Sequence, residues 1–451
     1  MKTIPILIIT LLLTMNQCSN TKQALSIENP IQTNQKENQE IDQETDIENI
    51  RLSEFQEKLL EDLDYLCDFL ENNSIIFAQK LVQEDYYISK NELYHSLHKI
   101  DNYNLFLIRI NMMLATLGSL HITAKPRGAD SLDFNCEYID NNLIVTGGNL
   151  PTGAKIISIG NKNINEIINF SKKAYPYENK IGEKVNAEQY FKVSYVLEML
   201  GCDIKPDGAN VVYEINGKSE TEFVNFKFKP LFSYTEKTIG NSYEIKDDIF
   251  IFTFALCKPD EGYMKSEEKL KEYISDGGKN IIIDVRYNVG GQPYACENIL
   301  KILDLEYGQV GREIYVSKYM KEFLVENEDV VNAEIGEIIS SESVNIIGEE
   351  KYNLIVLTGL NTFSAGMYMP FYVQDAKIGK VIGEISAHAP SFYGGLNSTT
   401  LPNSKSTISI SSSQTSRPDS NATQDKLIPD YLINDSEDAL DVAINLIKNK
   451  S

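Results

Sequence analysis

An α/β fold with a helical region in front of it is what this sequence predicts, on three observations. Two segments, Asn280-Ile-Ile-Ile-Asp-Val-Arg-Tyr-Asn-Val-Gly-Gly291 and Leu354-Ile-Val-Leu-Thr-Gly-Leu-Asn-Thr-Phe-Ser-Ala-Gly366, each run as aliphatic and β-branched residues and then break into Gly and Asn. That is the pattern of a strand buried on both faces that ends in a turn and restarts as a helix, at Pro293 and near Ser364. From about Tyr243 to Leu446 strand and helix patterns alternate. Ahead of them, Leu52, Phe55, Leu59, Leu63, Leu66 and Leu70 recur at helical spacing.

In chain order, residues 1–18 read as a secretory signal. Lys2 precedes a short apolar run from Ile4 to Met15, too short to span a bilayer, and Cys18 follows it. Cys18 resembles the lipidated cysteine of bacterial lipoproteins, although Met15-Asn16-Gln17 departs from the usual small-residue box; a plain signal peptide is the alternative. Residues 19–50 are Asn, Gln, Glu, Thr and Lys with few large apolar residues, the composition of a disordered tether.

Residues 51–127 form the helical region. Ser53 and Gln56 suit a capping box, and a second helical stretch runs from about Asn91 to Leu117, closed by Gly118. Residues 128–240 change to short strands and turns, followed by a helical stretch from Asn169 to Leu200. Residues 241–451 hold the α/β core, with a late alternating strand at Ser406–Ser412 and a last helix from Asp435.

The whole chain sets outer limits. Its 451 residues suffice for two or three domains, and a composition 42% hydrophobic, 10% aromatic and 24% charged is that of a globular protein. Acidic residues exceed basic ones by 65 to 42, a net charge of −23, which argues against a nucleic-acid partner because phosphate binding needs a basic footprint. Beyond Cys18 the cysteines are Cys67, Cys136, Cys202, Cys257 and Cys296, odd in number and never paired as Cys-x-x-Cys. Neither a disulfide framework nor a zinc motif follows from them, and they read as buried small hydrophobes; Cys257 and Cys296, near the two turns, invite a cysteine-nucleophile alternative.

The chemistry concentrates at the two turns. One offers backbone N–H groups at Gly290 and Gly291; the other offers the Ser364 hydroxyl followed by small Ala365 and Gly366. Strand C-termini that meet helix N-termini are where α/β proteins place active groups, and a nucleophile beside an anion-binding turn suits acyl transfer.

The same residues resemble a family. Ile281-Ile-Ile-Asp-Val-Arg-Tyr-Asn-Val-Gly-Gly291 resembles the hydrophobic-Asp-Leu-Arg-x-Asn-x-Gly-Gly motif of the tail-specific, or C-terminal processing, serine proteases, a family that includes tricorn-type proteases. Thr362-Phe-Ser-Ala-Gly366 resembles their nucleophile turn, Val381-Ile-Gly-Glu384 their Val-Gly-Glu, and Leu427-Ile-Pro-Asp430 their late Ile-x-Pro-Asp. Leu117-Gly-Ser-Leu-His-Ile-Thr123 resembles the histidine motif of the tricorn-like branch, with Ser119-Leu120 in place of Asp-Gly. Residues 149–168 partly resemble a PDZ-like core, which would grip an extended peptide as an added strand or serve only as a degenerate cap.

The resemblance implies a ClpP/crotonase-like α/β protease core with a degenerate PDZ-like module, and Ser364 as nucleophile. The processing branch uses a lysine base after Val-Gly-Glu, but Ala389 stands there and no Lys occurs between Lys380 and Lys405. The other branch uses a histidine, which makes His121 the candidate base, with His388 the runner-up and His95 and His98 surface residues. Glu384 is the candidate third member. Gly290 or Gly291, with Ala365, would form the oxyanion hole, Asn288 would shape the first turn, and Asp284 and Arg286 would pair at the strand end.

The expectation is therefore a serine-type peptidase working through an acyl-enzyme on peptide or protein substrates, exported to the bacterial cell envelope and touching the membrane only through its lipid anchor. No metal or organic cofactor is implied. Two alternatives stay open: a catalytically inactive binding protein on the same scaffold, and an acyl hydrolase that is not a protease.

Overall fold

The computed structural model describes residues 51–125, 128–139, 142–229, 239–323, 328–434 and 437–449. The expected signal segment, the lipidation site Cys18 and the tether lie outside the described residues. No helix among the described residues is long and apolar enough to cross a membrane.

The helical region opens at Ser53, whose side chain accepts from the Gln56 amide while the Gln56 side chain accepts from the Ser53 amide. The helix Glu54–Asn73 buries Leu59, Leu63, Leu66 and Leu70 along one stripe. The expected single stretch from Asn91 to Leu117 is instead two helices, Glu84–Ser96 and Tyr103–Ala115. Asn102 breaks them apart, because its side chain accepts from the Leu105 amide at 2.8 Å and starts a new helix there.

Residues 129–229 build an antiparallel sheet in the order Ala129–Leu132, Lys218–Lys229, Gly208–Ile215, Lys155–Ile159, Asn142–Gly148, Phe134–Ile139. The stretch expected to be helical from Asn169 to Leu200 is broken. Helices Ile164–Ser171 and Lys180–Tyr190 are separated by a loop, and Asn179 caps the second by accepting from the Ile181 and Gly182 amides.

The α/β core is a six-stranded sheet in the order Ser242–Lys246, Ile249–Thr253, Asn280–Asp284, Asn353–Thr358, Lys380–Gly383, Tyr431–Leu432. Every pair except the first is parallel. Alternation of side chains sorts its residues cleanly. Phe250, Phe252, Ile281, Ile283, Leu354, Val356 and Val381 join helices Glu261–Ser275, Tyr294–Ile302 and Tyr368–Asp375 in one core. Ile251, Ile282, Ile355, Leu357 and Ile382 join helix Ala439–Lys448 in another. Each aliphatic side chain so buried contributes about 1.5–3 kcal/mol, which is why these strands read as unbroken apolar runs.

A third sheet supplements that core. The late strand extends over Thr407–Ser416, pairs with Phe392–Thr400 and Gly311–Tyr315, and also takes Thr123–Ala124 as a neighbour, Thr123 opposite Ser409. Ile408 and Ile410 of this strand pack into the helical region. Asp62, fully buried, fixes the same junction by accepting from the Asn403 and Ser404 amides at 2.7 and 2.8 Å. The chain just after the helical region is thereby carried to the edge of the α/β core.

Candidate active site

The nucleophile turn begins where the strand Asn353–Thr358 ends. Thr362, fully buried, donates its hydroxyl proton to the Val285 carbonyl at 2.9 Å and accepts from the Gly359 amide at 3.0 Å. Ser364 follows at φ +52°, the first residue of a 3-10 turn through Met367. A non-glycine residue in that region costs of order 1–3 kcal/mol and persists only where its surroundings impose it. Here the Phe363 amide donates to the Asn288 carbonyl at 2.8 Å, and the Gly366 amide to the Phe363 carbonyl at 2.9 Å.

The facing turn is built on Asn288, which is fully buried. Its side-chain amide donates to the Phe254 carbonyl at 2.7 Å, and its Oδ1 accepts from the Gly290 amide at 2.8 Å. Gly290 and Gly291 stand at φ +92° and +131°, where a side chain would be strained. The expectation that Gly290 could serve in the oxyanion hole is corrected by this bond: its N–H is already committed to Asn288. The amides of Gly291 and Ala365 donate to no atom among the described residues. Asp284 and Arg286 pair at the strand end, the guanidinium donating to both carboxylate oxygens at 2.8–3.1 Å.

His121 arrives between the helix Tyr103–Ala115 and the strand Thr123–Ala124. Its Nε2 lies 3.0 Å from Ser364 Oγ. The ring is only 3% exposed, stacked between Phe363 at 4.8 Å and Phe392 at 5.5 Å. Burial pushes its pKa down to about 3, with nearby His388 adding to the shift and Glu178 opposing it. The imidazole is therefore neutral, the form able to accept a proton.

His388 is equally buried, its ring 5.2 Å from that of His121, and it makes no hydrogen bond to Ser364. Its Nδ1 lies 2.6 Å from Glu178 Oε2. Glu384 is not the third member of this group. It is exposed, and its carboxylate accepts from the Leu360 amide at 3.2 Å, because the backbone after Gly383 turns its side chain outward to solvent. The carboxylate beside the imidazoles is Glu178, from the loop that breaks the expected helix.

Glu178 ties three parts of the chain together. Oε1 accepts from the Leu120 amide at 3.0 Å, one residue before His121, and Oε2 accepts from the Ala389 amide at 2.9 Å, one residue after His388. Ala389, which replaces the lysine of the processing branch, thus offers only its backbone. Burial opposes charge on Glu178, but His388, His121 and the Ala389 amide together hold its carboxyl below the usual range. Next to it, the Asn179 side chain donates to the Ser386 carbonyl at 3.1 Å. Nothing local marks Glu178 in the sequence; the helix cap at Asn179, which breaks the helical pattern there, is the nearest signal. Cys257 and Cys296 are both fully buried behind the glycine turn, their sulfurs 3.8 Å apart, and neither touches Ser364 or His121.

With both turns, the nucleophile and the buried histidines in place, the comparisons take their meaning. The model of peptidase family S41 matches residues 251–433, a span containing both strand-to-turn segments. Residues 251–433 are a peptidase family S41 domain. No curated protein sequence matches the chain. Among solved structures, mature CPAF complexed with lactacystin superposes with a TM-score of 0.56 at 11% identity, covering 88% of this chain and 97% of that one. Mature CPAF gives 0.55 at 11% identity, over 88% of this chain and 96% of that one. At such identity the likeness is one of fold, and it reaches well beyond the S41 domain into the helical region and the antiparallel sheet that supply His121 and Glu178. In coarse terms the match to peptidase family S41 supports a serine peptidase.

Proposed function

We propose that this S41 protein hydrolyses peptide bonds through an acyl-enzyme on Ser364, with His121 as general base. The observation that carries the reading is the 3.0 Å approach of His121 Nε2 to Ser364 Oγ, made by residues 243 positions apart. Ser364 Oγ attacks the peptide carbonyl as its proton passes to Nε2; the imidazolium then gives that proton to the leaving amine. Water repeats the cycle and releases the acid.

The oxyanion that forms is received by the free amides of Gly291 and Ala365, a contribution of about 3–4 kcal/mol for each donor aimed at the developing charge. The imidazolium is stabilised by Glu178, whose carboxylate lies with both histidines in a group of ligand atoms no more than 4.8 Å apart. At that separation an ionic attraction is worth about 3 kcal/mol for an effective dielectric of about 20. It compensates in the transition state for the burial that depresses the base in the ground state.

The finer parts of the reading are a tail-specific choice of substrate, strand-wise peptide binding by the PDZ-like module of residues 128–240, and anchoring of an exported protein at the cell envelope through lipidated Cys18. The deciding experiment is labelling with a fluorophosphonate probe. Wild type is expected to label, and Ser364→Ala and His121→Ala are not. An unlabelled wild type, under conditions that label a related active serine peptidase, would replace this reading by the inactive binding scaffold.

A further inference from the structure

Two buried ring nitrogens around the catalytic histidine are unaccounted for by the reaction. His121 Nδ1 and His388 Nε2 have no hydrogen-bond partner among the described residues, although the rings are 3% and 1% exposed. Beside them the Glu178 carboxylate approaches His388 Nδ1 to 2.6 Å. Buried nitrogens of this kind normally find a partner, and two together beside a buried carboxylate point to a group that would serve all three residues.

We propose that His121, His388 and Glu178 form an inhibitory site for a divalent transition-metal ion, zinc by the chemistry of its ligands. Two imidazoles and one carboxylate are a set that zinc accepts with a fourth position left for water or another oxygen. One ligand atom from each residue lies within 4.8 Å of the others, so modest side-chain rotation brings them to the spacing of about 3.3 Å that bonds of about 2.0–2.1 Å in a tetrahedron require. The backbone beneath is already fixed: Glu178 holds the amides of Leu120 and Ala389, each adjacent to one of the histidines. The neutral imidazole is the form that binds metal.

Inhibition follows from which nitrogen is free. Nε2 of His121 faces Ser364, so the metal takes Nδ1. An imidazole metallated at Nδ1 carries its proton on Nε2 and donates to Ser364 Oγ, so it has no lone pair left with which to accept the serine proton. The metal thus switches off the base without touching the nucleophile. Zinc binding stands independently of the peptidase reading; only its inhibitory consequence rests on that reading.

The test is competition for zinc between the chelator-treated full chain and a chromogenic chelator, with X-ray absorption of the loaded protein. One zinc per chain is expected, with a first shell of nitrogen and oxygen only. His388→Ala and Glu178→Gln should each weaken binding at least tenfold, while Ser364→Ala should bind within threefold of wild type. Thermal melts separate lost ligands from lost folding, and the absorption spectrum needs no variant. Failure to compete with a micromolar chelator, binding insensitive to both substitutions, or sulfur in the shell would overturn the proposal. One equivalent of zinc should also abolish fluorophosphonate labelling of wild type, and a chelator should restore it. Bound zinc with undiminished labelling would overturn the inhibitory role. Wild type unlabelled with and without zinc, but binding it in this variant-sensitive way, would leave the metal site standing and remove the peptidase reading.

Discussion

Gly290 and Ser364 are packed against each other so closely that a methyl group on Gly290 would lie 2.7 Å from the Ser364 Cβ. The same methyl would stand 3.2 Å from the Ala365 amide and 3.2 Å from the Phe363 carbonyl, so the glycine turn and the nucleophile turn cannot be varied separately. Gly290→Ala is therefore expected to displace Ser364 and its neighbouring amide. Probe labelling should fall at least about 100-fold, since misplacement by about 1 Å is worth that much. Overpacking should cost about 1–3 kcal/mol of stability, read from denaturant unfolding.

The two candidate carboxylates separate in a single comparison. Glu178→Gln removes the charge facing the imidazolium, and labelling should slow about 100-fold, the equivalent of about 3 kcal/mol. Glu384→Gln alters an exposed carboxylate whose one bond to the Leu360 amide an amide oxygen can also make, and labelling should stay within about threefold of wild type. Equal losses from the two would return Glu384 to the site.

Acid tolerance should be unusual for a histidine base. His121 is lowered from 6.5 to about 3, so it remains neutral well below pH 6. In chelator-containing buffer, the labelling rate should hold nearly level from pH 7 to pH 5 and fall only below that. For stability, the unfolded chain binds a proton at this site between pH 6.5 and about 3 while the folded chain does not. The contribution of His121 is thus fully present above pH 6.5 and lost as pH falls through that window. A labelling profile with its acid midpoint near 6.5 would mean that the ring is hydrated in solution.

Asp62 should prove as important to activity as many residues nearer Ser364. It is fully buried and answers the Asn403 and Ser404 amides, joining the first helix to the sheet that positions His121. Asp62→Ala leaves two buried N–H groups unpaired and should destabilise the protein by about 2–5 kcal/mol. The thermal melting temperature should fall, and labelling should fall with it at temperatures where the helical region has come loose.

The parts legible in the sequence are those that local pattern encodes. The apolar runs at Asn280 and Leu354, the capping box at Ser53 and the glycines before Gln292 follow from side-chain alternation, capping chemistry and positive φ, none of which needs a distant partner. The helix break at Asn102 was equally local: the polar stretch His98-Lys-Ile-Asp-Asn102 interrupts the pattern, and Asn102 caps the helix that follows.

What belongs to the tertiary structure is the company each residue keeps. By itself the sequence determined an α/β core, two turns ready for acyl transfer and a serine and a histidine of the right kinds. Only folding decided that Glu178 rather than Glu384 stands beside the histidines, that Gly290 spends its amide on Asn288, and that His388 lies with His121 instead of on Ser364. The reason is physical: a carboxylate's charge, an amide's availability and a histidine's basicity depend on burial and on partners far away in the chain, such as Ser364 and His121, 243 positions apart, and those are fixed by how the three sheets pack.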